Sequence, residues 1–209
     1  MNTLQQVRFI GKPLVFAACM LPFGYAALAA FGLAGDLGAN PVEALLDHFG
    51  NWGLRFVMLA LAVTPLRKIS GWNWLSRFRR MLGLFAFFYV LLHFLTWFIL
   101  DQGMALSAIL EDIVKRPFIT LGFAALVLLT AMATTSTAAA RRRMGKRWQQ
   151  LHYSIYIVGV LGVWHYWWQV KADVREPLIY AVILTALLGY RLFAHHRQKT
   201  RRRAVARNQ

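Results

Sequence analysis

The chain of 209 residues contains few of the residue types on which soluble proteins depend. Charged residues make up only 15% of it, and just eight residues are acidic, whereas an ordinary soluble domain is about 25% charged. The single cysteine, Cys19, excludes a disulfide within the chain and any zinc or iron–sulfur site built from cysteines. The sequence also lacks a GxGxxG motif, a connection long enough for a soluble domain and an evident internal repeat. Apolar residues account for 58% of the chain, which excludes intrinsic disorder and indicates an integral membrane protein.

Six apolar stretches approach the length of a transmembrane helix, which takes about 20 residues to cross a hydrocarbon core of roughly 30 Å. The sequence therefore predicts an all-α fold, an integral membrane bundle of six transmembrane helices. We place the spans at about 13–33, 52–66, 81–100, 117–136, 151–168 and 177–193. The second span is the shortest, and a basic tail follows the last one over 194–209.

The charged residues alternate between the two sides of this bundle. The N-terminus, the second and fourth connections and the tail carry 19 of the 24 Lys and Arg residues and no acid, and the opposite side carries all eight acids. The positive-inside rule therefore places both termini in the cytoplasm. It also explains the net charge of +16 without a nucleic-acid partner, and the tail is expected to contact anionic lipids. The segment 25–30 is also compatible with signal-peptide cleavage, an alternative that the charge pattern does not decide.

Two histidines share one predicted depth in the membrane. At a rise of about 1.5 Å per residue, His93 lies about 18 Å and His165 about 21 Å from the cytoplasmic ends of the third and fifth spans. Because both spans run in the same direction, the imidazoles lie at one level in the outer half of the bilayer. Two facing histidines at one depth predict a bis-histidine site for a b-type haem. The alternative for each histidine is an interhelical hydrogen bond.

His152 is a third candidate ligand, about 19.5 Å from His165 along the helix axis and near the cytoplasmic face. On a straight helix the two side chains point about 140° apart, so an irregular start of the fifth span is needed to bring them to one face. The matching positions before His93 hold Arg79 and Arg80. A second haem held by two protein histidines is therefore not predicted, and an interfacial role is the alternative for His152.

The remaining polar residues carry weaker signals. Arg55 lies just inside the outer end of the second span, where it could pair with a haem propionate or snorkel to lipid headgroups. His48 is expected on the surface of the outer connection, and His195 and His196 are expected to be solvated in the tail.

Several short stretches carry a resemblance to a known family. They are 79–84 (RRMLGL) leading to His93, 116–122 (RPFITLG), 135–137 (TST), 145–152 (GKRWQQLH), 165–171 (HYWWQVK) and 38–42 (GANPV) with His48. On these residues the chain resembles the MsrQ (YedZ) family, the haem-binding membrane subunits of the MsrPQ protein-methionine-sulfoxide reductase system, within the wider ferric reductase-like transmembrane superfamily. The resemblance implies a single ferric reductase-like transmembrane domain over 1–209.

The resemblance also implies cofactors, partners and a location. Such proteins lie in the bacterial inner membrane and carry b-type haem and FMN. They pass electrons from the quinone pool or a cytoplasmic flavin reductase to periplasmic MsrP, a molybdopterin enzyme that repairs oxidised proteins. The chain would then be an electron-transfer subunit with no catalytic residue of its own, in a heterodimer with MsrP. Ferric reductases and NADPH oxidases carry a cytoplasmic FAD/NADPH domain and typically four haem-binding histidines, whereas this chain has no such domain and three matching histidines.

A flavin phosphate at the cytoplasmic face would meet a set of basic side chains there. The candidates are Arg77, Arg79, Arg80, Lys146 and Arg147. The positive-inside bias explains these residues equally well. Two alternative functions stay open: a stand-alone haem-b ferric or quinone reductase, and a transporter without haem that uses its membrane histidines as a proton relay.

Overall fold

The computed structural model describes residues 3–170 and 173–207, and within them the chain is helical with no strand. The α-helices, in chain order, are α1 (Thr3–Gln6), α2 (Lys12–Ala30), α3 (Pro41–Ser70), α4 (Arg79–Leu95), α5 (Leu106–Lys115), α6 (Pro117–Thr134), α7 (Ala138–Met144), α8 (Lys146–His152), α9 (Ile155–Gln169) and α10 (Arg175–Arg207). Short π-helical segments, Val7–Gly11 and Thr96–Asp101, adjoin α2 and α4, and a 3₁₀ turn, Asn73–Arg77, precedes α4. The predicted all-α fold is confirmed for these residues.

Five helical segments of the described part are long and apolar enough to cross a membrane. They are Val7–Ala30, Pro41–Ser70, Arg79–Asp101, Pro117–Thr134 and Arg175–Arg197, which correspond to the first four and the sixth predicted spans. The fifth predicted span, 151–168, contains α9, which has only 15 residues. That length is below the roughly 20 residues that a straight crossing requires. The fold therefore supports five of the six predicted spans by length and composition.

Two helices extend beyond the predicted spans. The second span was expected to begin at 52, but α3 begins at Pro41, where the side chain of Asn40 accepts a hydrogen bond from the Glu43 backbone N–H (3.3 Å). The polar residues of the first turns hide the helix from a search for apolar runs. At the other end of the chain, α10 continues from the last span through 207 without a break, over most of the predicted tail.

One helix, α5, was not predicted. It lies in the outer connection between the third and fourth spans and is too short to cross a membrane. Ile109 is buried on one side of it, whereas Leu106, Leu110 and Val114 form an exposed apolar row at intervals of four residues. Spacing of this kind places side chains on one face of a helix.

The bundle is built from two antiparallel helix pairs. The most extensive packing is that of α3 against α4 and of α6 against α9, with α10 and α2 packed on the outside of these pairs. Gly53 makes one close approach possible, because a Cβ at this position would lie 2.7 Å from Cγ2 of Val90. Tyr89 is fully buried in the core, and its hydroxyl donates to the Cys19 carbonyl (2.7 Å) and accepts from the Phe23 N–H (3.0 Å). The hydroxyl thus bridges one turn of α2 and ties that helix to α4.

Candidate functional site: two cavities along the bundle

The structure brings His93 and His165 together. His93 projects from α4 and His165 from α9, and their ring centroids lie 6.1 Å apart with the ring planes at 84°. Both line a cavity of about 700 Å³ between α3, α4, α6 and α9. The depth argument from helix rise therefore placed these two side chains correctly relative to each other.

Each of the two imidazoles is oriented by a backbone carbonyl. Nδ1 of His93 lies 2.9 Å from the Leu46 oxygen, and Nδ1 of His165 lies 2.7 Å from the Phe118 oxygen. A carbonyl only accepts, so Nδ1 carries the proton in both rings and Nε2 keeps its lone pair. Among the described residues, neither Nε2 has a hydrogen-bond partner. Histidines that bind a metal through one nitrogen commonly donate the other N–H in this way.

The separation of the rings matches that of two ligands on one metal ion. Two imidazole nitrogens that each lie about 2.0 Å from a metal place their ring centres roughly 6.3 Å apart. The observed 6.1 Å agrees with this spacing. Perpendicular rings in edge-to-face contact also lie about 4.5–7 Å apart, so the spacing is compatible with a shared metal ion, and the orientation of both rings by backbone carbonyls is what favours one.

Two glycines make room for the imidazoles. A Cβ on Gly50 of α3 would lie 3.0 Å from Nδ1 of His93, and a Cβ on Gly122 of α6 would lie 3.0 Å from Nδ1 and Cε1 of His165. Both distances are shorter than ordinary contact. An alanine at either position would therefore force the imidazole to shift by a few tenths of an ångström.

The same arrangement occurs twice in the chain. In each case a carbonyl residue is followed four positions later by the glycine, and the histidine stands 47 residues after the carbonyl residue. The sequence analysis found no internal repeat because the other residues of the two halves differ. Both helix pairs nevertheless hold their histidine with the same arrangement of carbonyl and glycine, and the two histidines lie next to each other between the pairs.

Charged groups lie around the same cavity. Glu43, Asp47, Asp101 and Arg116 line it, and Arg116 forms an ion pair with Asp112 (3.2 Å) at the start of α6. The predicted cation is elsewhere: Nε of Arg55 donates to the Tyr180 hydroxyl (3.1 Å), and the guanidinium lies 4.8 Å from the centroid of the Trp52 ring. Arg55 thus faces α10 rather than the cavity of the two histidines, and Arg116 is the cation that lines it.

His152 lines a second cavity, of about 580 Å³, near the opposite end of the bundle. Its ring stacks on Trp148 (centroids 3.8 Å apart), and its Nδ1 lies 3.0 Å from the Trp148 oxygen. Its Nε2 is buried without a hydrogen-bond partner among the described residues. The Met132 carbonyl also lies near the ring. Like the other two histidines, His152 is therefore oriented by a backbone carbonyl at Nδ1.

The helix break that His152 requires is present. The helix α8 ends at His152, and α9 begins at Ile155 after a short turn. The angle of about 140° on a straight helix therefore does not apply, because His152 and His165 lie on different helices.

The predicted basic residues divide between this cavity and the surface. Arg79 and Arg80 line the cavity, whereas Arg77, Lys146 and Arg147 are exposed and do not. Two arginines that the sequence analysis did not select, Arg141 and Arg191, also line it.

The other predicted histidines take no part in either cavity. Contrary to expectation, His48 lies within α3 rather than in a loop, and its Nε2 is 2.9 Å from the Pro22 oxygen of α2. His195 and His196 are exposed on α10, as predicted. Lys171 of the last family-like stretch lies outside the described residues.

The sequence of this chain is similar to those of known proteins. Residues 49–163 match the family described as ferric reductase like transmembrane component. The heme-binding subunit MsrQ of the protein-methionine-sulfoxide reductase of Herminiimonas arsenicoxydans is 48% identical over 93% of this chain and 90% of its own length. Those of Rhodospirillum rubrum and Azospira oryzae are 50% and 52% identical over 93% and 87% of this chain, and over 93% and 78% of their own lengths. No solved structure matches significantly.

This chain belongs to the MsrQ family. The matched region of the broader family begins in α3 and ends in α9, so it covers most of both helix pairs and includes His93 and His152, whereas His165 lies two residues beyond its end. Together with the apolar helices, this membership identifies a multi-pass membrane protein. The family-like stretches of the sequence fall on the elements that build the two cavities.

Proposed function

We propose that this chain is a membrane electron-transfer subunit that holds a b-type haem between His93 and His165 and delivers electrons to a periplasmic MsrP-type methionine sulfoxide reductase. The observation that carries the proposal is the pair of facing imidazoles with ring centres 6.1 Å apart. The curated relatives are named as heme-binding subunits. When bound, a haem supplies the reversible one-electron chemistry of its iron.

The residues around this site fit a haem. The two free Nε2 atoms would serve as axial ligands, and the bonds from Nδ1 to the carbonyls of Leu46 and Phe118 hold the rings in orientation. The cavity of about 700 Å³ falls in the usual size range of cofactor pockets. Arg116 lines it and would pair with a propionate. Arg55, selected from the sequence for that role, has contacts that point away from the cavity.

The proposal includes a membrane topology. It places six spans in a single domain over 1–209, both termini in the cytoplasm and the protein in the bacterial inner membrane. The distribution of charge supports it, because no acidic residue lies between 48 and 100 or between 113 and 172. For α9, with 15 residues, the short helix α8 and the turn before it would supply the rest of the crossing.

The cytoplasmic side would receive the electrons. We propose that His152 is a metal ligand there, through its free and buried Nε2. FMN or a quinol would be the immediate donor, with Arg79 and Arg80 inside the cavity and Arg77, Lys146 and Arg147 on the adjacent surface. The acidic outer surface would face MsrP, a molybdopterin subunit, in a heterodimer.

Absorption spectroscopy of the purified protein tests the haem site. We expect a Soret band in the wild type and one haem per chain at this site, and we expect that one haem to be lost in His93→Ala and in His165→Ala. His48→Gln is the matched control, because it also removes an imidazole from the bundle while its amide can still donate to the Pro22 carbonyl. Wild-type protein that is colourless after expression in haem-replete cells would refute the proposal and would favour the transporter. An amount of haem per chain that stays at the wild-type level in both alanine variants would assign the haem to other residues.

A second measurement addresses the electron acceptor. The family of the matched region is named for ferric reductases, so direct reduction of ferric iron is the competing function. Haem reoxidation is measured after chemical reduction, with MsrP and methionine sulfoxide or with a ferric chelate as the acceptor. We expect rapid reoxidation with MsrP and its substrate. Rapid reoxidation by the ferric chelate alone would instead support a stand-alone reductase.

A further inference from the structure

Arg191 is a charged residue inside the bundle with no charged partner. It projects from α10 towards α3 and α9, where Nη2 donates to the Leu61 carbonyl (2.8 Å) and to the Thr64 hydroxyl (3.0 Å). Nη1 donates to the Tyr156 hydroxyl, and the guanidinium lies 4.9 Å from the centroid of the Tyr156 ring. All of these partners are neutral. Nε of Arg191 is buried and has no hydrogen-bond partner among the described residues.

A second positive charge adjoins the first. Nη2 of Arg79 donates to the same Thr64 hydroxyl at 2.6 Å, so one oxygen atom joins two guanidinium groups. Arg79 reaches this oxygen from α4, and its side chain is otherwise largely exposed. The two guanidinium groups carry like charges, which repel each other at such short range. Arginine does not relieve the repulsion by losing its proton in proteins.

The chain itself offers no compensating anion. Its eight acidic residues occur at 36–47, 101–112 and 173–176, none of them in the segments that line this cavity. The ion pairs among the described residues are Lys115–Glu111, Arg116–Asp112 and Arg175–Asp173. Arg80 and Arg141 add further positive charge to the same wall. Arg191 is only partly exposed and its Nε is buried, and withdrawing a charge from water without a counter-ion is unfavourable, so the cavity favours an anion from outside the chain.

The rest of the cavity indicates what carries that anion. Trp148, His152 and Tyr153 supply ring surfaces, and Leu61 and Leu129 supply an apolar floor. A volume of about 580 Å³ suits a small amphipathic molecule rather than a simple ion. Bidentate binding of phosphate or carboxylate is the characteristic chemistry of arginine.

We propose that Arg191 and Arg79, joined at Thr64, form a binding site for the oxyanion of an amphipathic ligand in the cytoplasmic cavity. The shared chemistry is a phosphate or carboxylate group next to an apolar or aromatic body. Three sources present it: the phosphate of FMN, a propionate of a haem at His152, and the headgroup of an anionic phospholipid. The inference rests on the proposed function, which already places Arg79 beside the electron donor, and it adds Arg191 and Thr64 to that site.

The test uses full-length protein purified in detergent, from which FMN, haem and phospholipid are extracted and quantified per chain. The haem at His93 and His165 is first subtracted from the haem total. We expect Arg191→Gln to retain at least tenfold less of one of the three molecules than wild type, since a hydrogen bond to a charged group typically changes affinity by about 10–100-fold. Arg142→Gln is the matched control, because it removes an exposed arginine from the same side outside the cavity. The molecule that is lost identifies the source of the oxyanion.

Two further variants separate the anion site from a general folding defect. Arg79→Gln alters the more exposed member of the pair, and we expect it to lower retention of the same molecule. Arg191→Lys keeps the positive charge but lacks the planar guanidinium group, so we expect it to retain part of the molecule that Arg191→Gln loses. In all variants, haem at His93 and His165, read from the Soret band, reports that the bundle is intact.

Wild-type protein that carries no FMN, no phospholipid and no haem beyond the one at His93 and His165 would overturn the inference. So would Arg191→Gln and Arg79→Gln proteins that retain the same amounts as Arg142→Gln. Either result leaves the haem at His93 and His165 in place, whereas failure of the proposed function removes that haem from the wild type as well.

Discussion

Gly122 gives the sharpest prediction, because one added methyl group there touches a single functional side chain. In Gly122→Ala the new Cβ lies 3.0 Å from Cε1 and Nδ1 of His165, whereas ordinary contact begins at 3.4 Å. The ring must therefore move by a few tenths of an ångström. That movement acts directly on the 2.7 Å hydrogen bond from Nδ1 to the Phe118 carbonyl.

The size of the effect follows from the role of that hydrogen bond. Ligands must be held within about 0.5 Å of their productive positions, and changes to groups that orient a metal-binding histidine typically lower metal affinity by about 10–100-fold. Alanine also favours the helix over glycine by roughly 0.5–1 kcal/mol. We therefore expect Gly122→Ala protein to fold at least as well as wild type while binding haem about 10–100-fold more weakly.

The assay titrates haem into protein that was produced under haem limitation and follows the Soret band. Gly24→Ala is the matched control, since this glycine also lies within a transmembrane helix and a Cβ there meets nothing within 4 Å. The control is expected to bind haem like wild type. If Gly122→Ala binds haem as tightly as Gly24→Ala, the argument that glycine positions the ligand is refuted.

Three further predictions concern other parts of the molecule. Tyr89→Phe leaves the Cys19 carbonyl without its hydroxyl donor, and we expect a loss of about 1–3 kcal/mol in the free energy of unfolding, measured by denaturation in detergent; an unchanged stability would contradict a structural role for this bridge. We expect Arg116→Gln to lower the amount of haem retained per chain and Arg55→Leu to leave it unchanged. The opposite result would support the sequence-based assignment of Arg55 to a haem propionate. His152→Ala is expected to change the visible spectrum while the haem of the outer cavity remains, and a spectrum identical to that of wild type would show that His152 binds no chromophore.

The sequence predicted the central pair because helix geometry is regular. Once the cytoplasmic starts of two spans are recognised from their charges, a rise of about 1.5 Å per residue fixes the level of each side chain. His93 and His165 needed no further information to be placed together. The carbonyls and glycines that orient them could not be predicted, because they act through backbone positions that apolar patterning does not distinguish.

The errors have a different physical origin. The first turns of α3 carry Glu43, Asp47 and His48, so hydropathy alone placed the helix start too late. Arg191 was read as part of the cytoplasmic charge excess, because a basic residue near a helix end looks the same in sequence whether it faces water or the bundle. Only the packing of α10 against α3 and α9 shows that its guanidinium lies inside.

Electron paramagnetic resonance of the oxidised protein tests the central claim most directly, because it reports the ligands of ferric iron themselves. Two neutral imidazoles on one iron predict a low-spin signal, and their planes at 84° predict strong anisotropy in that signal. Substitution of either His93 or His165 by alanine is expected to abolish it. The absence of a low-spin signal from the wild-type protein, or a low-spin signal that persists in both variants, would contradict the shared site.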